Sequence, residues 1–149
     1  MKISNKYPQF EKTVAWLLVC GTQEANFFMA TNGEINNVAH FIVEKTKFSD
    51  REDMGRHGYL SFENGAKFEA VRRAERIDFL KMFMQEIKDI LAEQSPDEVY
   101  LFAPETIIEE LHQSMPAILR KKVRGTYAGN FLKKKPFDVL AKIGKKVLK

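Results

Sequence analysis

Two short runs of this chain are apolar at almost every position. Thr13–Cys20 contains Val14, Trp16, Leu17, Leu18 and Val19, and Glu98–Ala103 contains Val99, Tyr100, Leu101 and Phe102. Such runs predict central strands covered on both faces, because a strand with one wet face would alternate. Gly21-Thr22-Gln23 turns the chain after the first run. Ala25–Thr31, with Phe27, Phe28 and Met29, predicts a second strand, and Asn32-Gly33 is a hairpin-turn signal. Ile35–Val43 follows as a third strand, less apolar and carrying Asn36, Asn37 and His40. These three make an antiparallel meander.

Lys45–Asn64 shows no period and predicts a loop. It holds Asp50, Arg51, Glu52 and Asp53, then the basic turn Gly55-Arg56-His57-Gly58. A loop of that length inside a compact domain is usually functional or mobile. From Lys67 to about Glu93 the spacing becomes helical. Ile77, Leu80, Met84, Ile87 and Leu91 share one face, and Phe79, Phe83 and Ile90 add a second stripe. The expectation is that Leu80, Met84 and Ile87 cover the sheet.

Pro104 and Glu105 open a helix through Met115, with proline at a tolerated first-turn position and glutamate beside the positive end. Leu119–Phe131 contains a fifth strand. With Val123 and Tyr127 on its core side, Lys122, Arg124 and Thr126 face out together. Pro136 starts a last short helix with Phe137, Leu140, Ile143 and Val147 on one side. The order is βββαβαβα: an α/β fold with helices packed on one mixed five-stranded sheet. Residues 1–12 read as a polar lead-in to a single domain over 13–149.

Charge changes the picture at one end. From Pro116 to Lys149 there are 11 Lys and Arg against one acid, Asp138, whereas the rest of the chain is net acidic. That split points to a side that faces a polyanion. The single cysteine, Cys20, rules out an internal disulfide and any multi-cysteine metal site. It reads as a small buried side chain. The first residues hold no apolar signal core, and no run reaches the ~20 residues of a spanning helix, so a cytoplasmic location is expected.

Candidate chemistry is sparse. A meander followed by alternating helices and strands resembles the ribonuclease H-like layout, whose metal-dependent members carry carboxylates on central strands. The two apolar runs have none, which argues against metal-dependent phosphodiester cleavage. None of His40, His57 and His112 has a histidine partner at helical spacing, so no zinc pair is visible. No nucleophile elbow, P-loop or dinucleotide fingerprint occurs. The reading is therefore of a protein that is not an enzyme, with no cofactor, no metal and no catalytic residues. The stretch Lys121–Lys135 interleaves basic residues with Tyr127 and Phe131, a composition able to neutralise phosphates and stack on bases.

The order of these parts resembles a known family. The opening strand with Trp16, Gly55-Arg56-His57-Gly58 leading to Lys67–Arg76, Asp97–Pro104 with Leu111, and the basic strand Lys121–Arg124 are similar to the bacterial proteins called host attachment proteins. Those in turn resemble the middle domain of archaeal and eukaryotic peptide-chain release factors. The resemblance spans roughly Thr13 to Ile143. In release factors a Gly-Gly-Gln tip precedes the long helix and enters the peptidyl-transferase centre. Here Gly55-Arg56-His57-Gly58 stands in the nearest position, with neither the glycine pair nor the glutamine. Carry-over of peptidyl-tRNA hydrolysis fails at the residue that performs it.

The expectation is a non-catalytic protein associated with RNA or the ribosome, in translation stress, rescue or hibernation. Its RNA-binding side would comprise Arg56 and His57 on the loop, Arg72, Arg73 and Arg76 at the helix foot, Lys122 and Arg124 on the fifth strand, and Lys133, Lys134 and Lys135 beyond it. The alternative is a protein-interaction module linked to host-cell attachment.

Overall fold

The middle of the sheet belongs to the two apolar runs. In the computed structural model, which describes residues 1–43 and 61–147, strands β1 (Ala15–Cys20) and β4 (Glu98–Ala103) pair in parallel. Strand β2 (Glu24–Thr31) flanks β1, β3 (Glu34–Ile42) lies beyond it, and β5 (Val123–Ala128) flanks β4, giving the order β3-β2-β1-β4-β5. The β1–β2 and β2–β3 pairs are antiparallel, and β4–β5 is parallel. Helix α1 (Ser61–Glu93) crosses from β3 to β4. After β4 come α2 (Glu105–Ser114), the single turn α3 (Ala117–Arg120), β5 and α4 (Pro136–Val147). The mixed five-stranded α/β architecture matches the sequence pattern.

Alternation along β1 and β4 divides the core into two layers. Trp16, Leu18 and Cys20 join Val99, Leu101 and Ala103 on the face covered by α1 and α2. Leu17 and Val19 join Tyr100 and Phe102 on the face covered by α4. The parallel register sets Trp16 beside Val99 and Leu17 beside Tyr100, so the two strands alternate in phase. The first twelve residues, expected as a polar lead-in, are docked on the α4 face. Ile3 is buried there, Tyr7 and Phe10 pack against the same cluster, and the Gln9 side-chain amide donates to the Ser4 carbonyl at 2.8 Å.

Three local expectations are corrected. Helix α1 begins at Ser61, not at Lys67, so the last residues assigned to the loop are helical. Asn64-Gly65 reads as a break, but a glycine inside a helix costs only about 1 kcal/mol, which the remaining length outweighs. The rest of the predicted loop lies outside the described residues.

The core stripe of α1 is mostly the other one, and of the three residues expected on the sheet only Ile87 is fully buried. Phe79, Phe83, Ile87 and Ile90 are buried, whereas Leu80 and Met84 are only partly buried and Ile77 is 52% exposed. Both stripes have helical spacing. The phenyl rings win because each buries more area than an aliphatic side chain. Phe79 and Phe83 reach Phe27 and Phe41 across the sheet, with ring centroids 5.3–5.6 Å apart in the Phe41–Phe79 and Phe27–Phe83 pairs.

The third correction is in β5. Val123 packs on the α1 face and Tyr127 on the α4 face, so they do not share a side. Val99 pairs with Val123, but Tyr100 pairs with Gly125, which leaves Arg124 as an extra residue in a bulge. One inserted residue reverses the side-chain phase of everything after it. Tyr127 consequently stacks on Phe102, with centroids 4.7 Å apart and 12° between the rings.

Candidate nucleic-acid interface

The sequence-predicted basic residues fall at opposite ends of the parallel strands. Lys122 and Arg124 sit at the amino end of β4 and β5. Lys122 Nζ donates to the Pro96 carbonyl at 2.8 Å and to Ser95 Oγ at 3.1 Å, tying β5 to the turn that leads out of α1. Arg124 Nε lies 3.8 Å from Glu98 Oε2. The arginine is 64% exposed, so this pair holds it only weakly. Glu98 also accepts a hydrogen bond from the Tyr100 hydroxyl at 3.2 Å. That hydroxyl titrates well above the ordinary tyrosine range, through burial first and the neighbouring Glu98 charge second.

Lys133, Lys134 and Lys135 lie past the carboxyl end of β5 and are all exposed. The loop that carries them is anchored rather than loose. Leu132, just before them, packs on Gly21 so closely that a Cβ there would overlap Leu132 Cδ1. Phe131 meets Phe102 edge-on at 5.1 Å. At the far end, the Lys135 N–H donates to Asp138 Oδ2 at 3.4 Å and the Asp138 N–H to the Lys135 carbonyl at 2.9 Å. This reciprocal cap, with Pro136 between, starts α4 and spends the one acid of the basic stretch on holding Lys135 in place.

Arg73 and Arg76 are exposed on α1. With 33 residues, α1 is about 50 Å long, whereas the six-residue strands span about 20 Å, so the helix runs past the carboxyl edge of the sheet. Arg76 Nε faces Glu110 Oε1 of α2 at 3.8 Å. Arg76 shares a groove with Thr22 and Gln23, the two residues after Gly21. Arg76 and the Lys133–Lys135 loop thus lie on either side of the β1–β2 turn, because Arg76 shares its groove with Thr22 and Gln23 and Leu132 packs on Gly21. Lys122 and Arg124 stand a strand length away. Arg72 is also on α1, and Arg56 and His57 lie outside the described residues.

Sequence reasoning missed Glu75, which is buried in the wall of that groove. The signal was available: Glu75 lies four residues before Phe79 and continues the buried stripe of α1 by one turn. Among the described residues no cluster of His, Cys, Asp and Glu has the arrangement to hold a metal ion. No helix among them is long and apolar enough to cross a membrane.

The class defined by this geometry is an α/β domain with a mixed five-stranded sheet and one long crossover helix. The model of the bacterial archaeo-eukaryotic release factor family 12 matches residues 14–143, and the chain belongs to that family. Among solved structures, the chain is similar to the archaeal translation termination factor aRF1, with a TM-score of 0.55 and 10% identity. The likeness covers 91% of this chain and 39% of that one, and at such identity it establishes a shared fold. No curated protein matches the sequence.

Proposed function

We propose that the protein is a non-catalytic factor associated with RNA or the ribosome, acting in translation under stress, in rescue or in hibernation. Membership of a release-factor family over residues 14–143 is the observation that carries this reading. The carboxyl edge supports it physically. An anchored loop of three exposed lysines and the exposed arginines of an overhanging helix offer positive charge in fixed positions, where phosphates are bound with release of counterions. The absence of the Gly-Gly-Gln tip from the sequence supports the non-catalytic part, because the glutamine is what the hydrolytic reaction of release factors depends on.

Co-sedimentation of the protein with ribosomes from lysate, at low and high salt, tests the reading. The protein should travel with ribosomes at low salt and leave them at high salt. Failure to co-sediment at either concentration would replace this function with the protein-interaction module linked to host-cell attachment.

A further inference from the structure

The stripe of α1 that the sheet does not use is itself apolar. Ile77, Leu80 and Met84 follow one another at i, i+3 and i+7, a run of two helical turns that spans about 10 Å. The sheet takes Phe79, Phe83, Ile87 and Ile90, which leaves Ile77 52% exposed and Leu80 and Met84 half-buried. With Lys81, Gln85 and Lys88 the three line a shallow depression of about 500 Å³, to which α1 alone contributes among the described residues. A single exposed aliphatic needs no explanation, but an apolar strip at helical spacing with a polar rim has the form of a helix-docking face.

The rim carries charge of one sign. Lys81 and Lys88, seven residues apart, stand on the same side of the strip and are exposed. Neither takes part in the ion pairs of the described residues, which join His40 to Glu24, Arg76 to Glu110 and Arg124 to Glu98. The acids of this part of α1 point elsewhere. Asp78, Glu86 and Asp89 stand about 120° or more round the helix from Met84, and Asp89 accepts a hydrogen bond from the Gln85 amide at 2.9 Å. A second copy of the chain is therefore a poor occupant, since two such strips would bring four lysines together with no acid between them.

We propose that this strip docks an acidic amphipathic helix of a partner protein. Apolar residues of that helix, spaced i, i+3 and i+7, sit over Ile77, Leu80 and Met84, and carboxylates on its flank meet Lys81 and Lys88. Met84, unbranched and polarizable, adapts to anchors of different shape. Removal of apolar surface from water drives the contact, and the two lysines select the acidic partner and fix its orientation. The strip contains none of the basic residues assigned to RNA, and the inference stands apart from the ribosome reading.

The test is a titration of the ¹⁵N-labelled full chain with three synthetic helical peptides of about 18 residues. Each carries leucines at the i, i+3 and i+7 spacing, flanked by glutamate in the first, glutamine in the second and lysine in the third. The glutamate peptide should shift the amides of residues 77–88 saturably and bind about fivefold more tightly than the glutamine peptide, the advantage of two exposed ion pairs. The lysine peptide should bind more weakly than either. Lys81→Gln together with Lys88→Gln should erase the glutamate advantage, and Ile77→Ser should weaken the glutamate and glutamine peptides alike, about tenfold. All three positions are exposed, so these substitutions leave the core intact. Equal affinity for the glutamate and glutamine peptides would overturn the proposal, as would an advantage that survives the loss of both lysines. So would the absence of saturable shifts up to about 1 mM. Two other occupants would also overturn it: a second copy, seen as concentration-dependent dimerisation in sedimentation that Ile77→Ser abolishes, and RNA, seen as shifts of the same amides by an oligouridylate that the double lysine variant loses.

Discussion

Phe83 on the long helix meets Phe27 on β2 edge to face, with ring centroids 5.6 Å apart and 90° between the planes. This pair fixes which side of α1 lies on the sheet. Phe83→Ala should cost about 3–5 kcal/mol, and Met84→Ala, one residue along on the half-buried side, should cost far less. Urea denaturation of the two variants, followed by fluorescence of the single Trp16, separates them. Equal losses would mean that the helix sits on its other stripe.

The close approach of Leu132 to Gly21 should show as non-additivity. Gly21→Ala introduces a methyl where Leu132 Cδ1 already lies, and a cost of about 1–2 kcal/mol is expected from overpacking. With Leu132→Ala in the same chain, the added cost of Gly21→Ala should largely disappear. The double-mutant cycle measures this coupling. Simple addition of the two single effects would mean that the lysine loop is not held by this contact.

Replacing Lys133, Lys134 and Lys135 by glutamine should weaken binding to all RNA sequences about equally and flatten the salt dependence. With three fewer phosphates neutralised, the slope of log affinity against log salt should fall by about 2–3. Replacing Arg72, Arg73 and Arg76 should damage ribosome association more than general RNA affinity, because a helix holds them in set positions. Filter binding with ribosomes and an unrelated RNA compares the two variants. If neither changes binding, the carboxyl edge is only a solvated surface.

Stability should fall at alkaline pH. The Tyr100 hydroxyl is pushed upward by burial and by Glu98, so the folded state favours its protonated form. This contribution is complete below the ordinary tyrosine value of about 10 and is lost as pH rises beyond it, because the unfolded chain ionises first. Tyr127, raised by its own burial, acts in the same direction. Tyr100→Phe should make the decline above about pH 10 shallower, as measured by unfolding midpoints across that range. An unchanged decline would remove Tyr100 as a cause.

Cys20 should resist thiol reagents while the protein is folded. Its side chain is fully buried and desolvation pushes its ionisation far upward, so almost no thiolate is present near neutrality. Labelling with a chromogenic disulfide should proceed only in denaturant. Rapid labelling of the native chain would show that the carboxyl end of β1 opens frequently.

The strands were the most legible part of the sequence. β1 and β4 are apolar at nearly every position, and only a strand covered on both sides tolerates that. Asn32-Gly33 announced the hairpin, and Gly33 adopts the positive φ of 79° that such a turn needs. Periodicity failed where two answers had the same period. The Ile77–Leu80–Met84 stripe and the Phe79–Phe83 stripe are both helical, and only the size of the side chains separates them. It failed again at Arg124, because an inserted residue leaves no mark on composition. For the candidate site, the basic residues were visible as charge, but their separation to two ends of the sheet follows from strand direction. Glu75 escaped notice because a glutamate on a charged helix looks like solvent-facing surface until the neighbouring stripe is known to be the buried one.

Each border of the sheet carries one irregularity. On β5 it is the bulge at Arg124. On β3 the register shifts between Phe27 and Phe28, whose partners Ala39 and Asn37 leave Val38 unmatched. An open border is a template on which another strand can grow, and the local twist of a bulge spoils the straight run of donors and acceptors such growth requires. Val38, an exposed aliphatic on the outer strand, is therefore a sticky side chain set on an edge that resists zipping. These two irregularities equip the fold against fibrous aggregation, and straightening either one is the change most apt to bring it on.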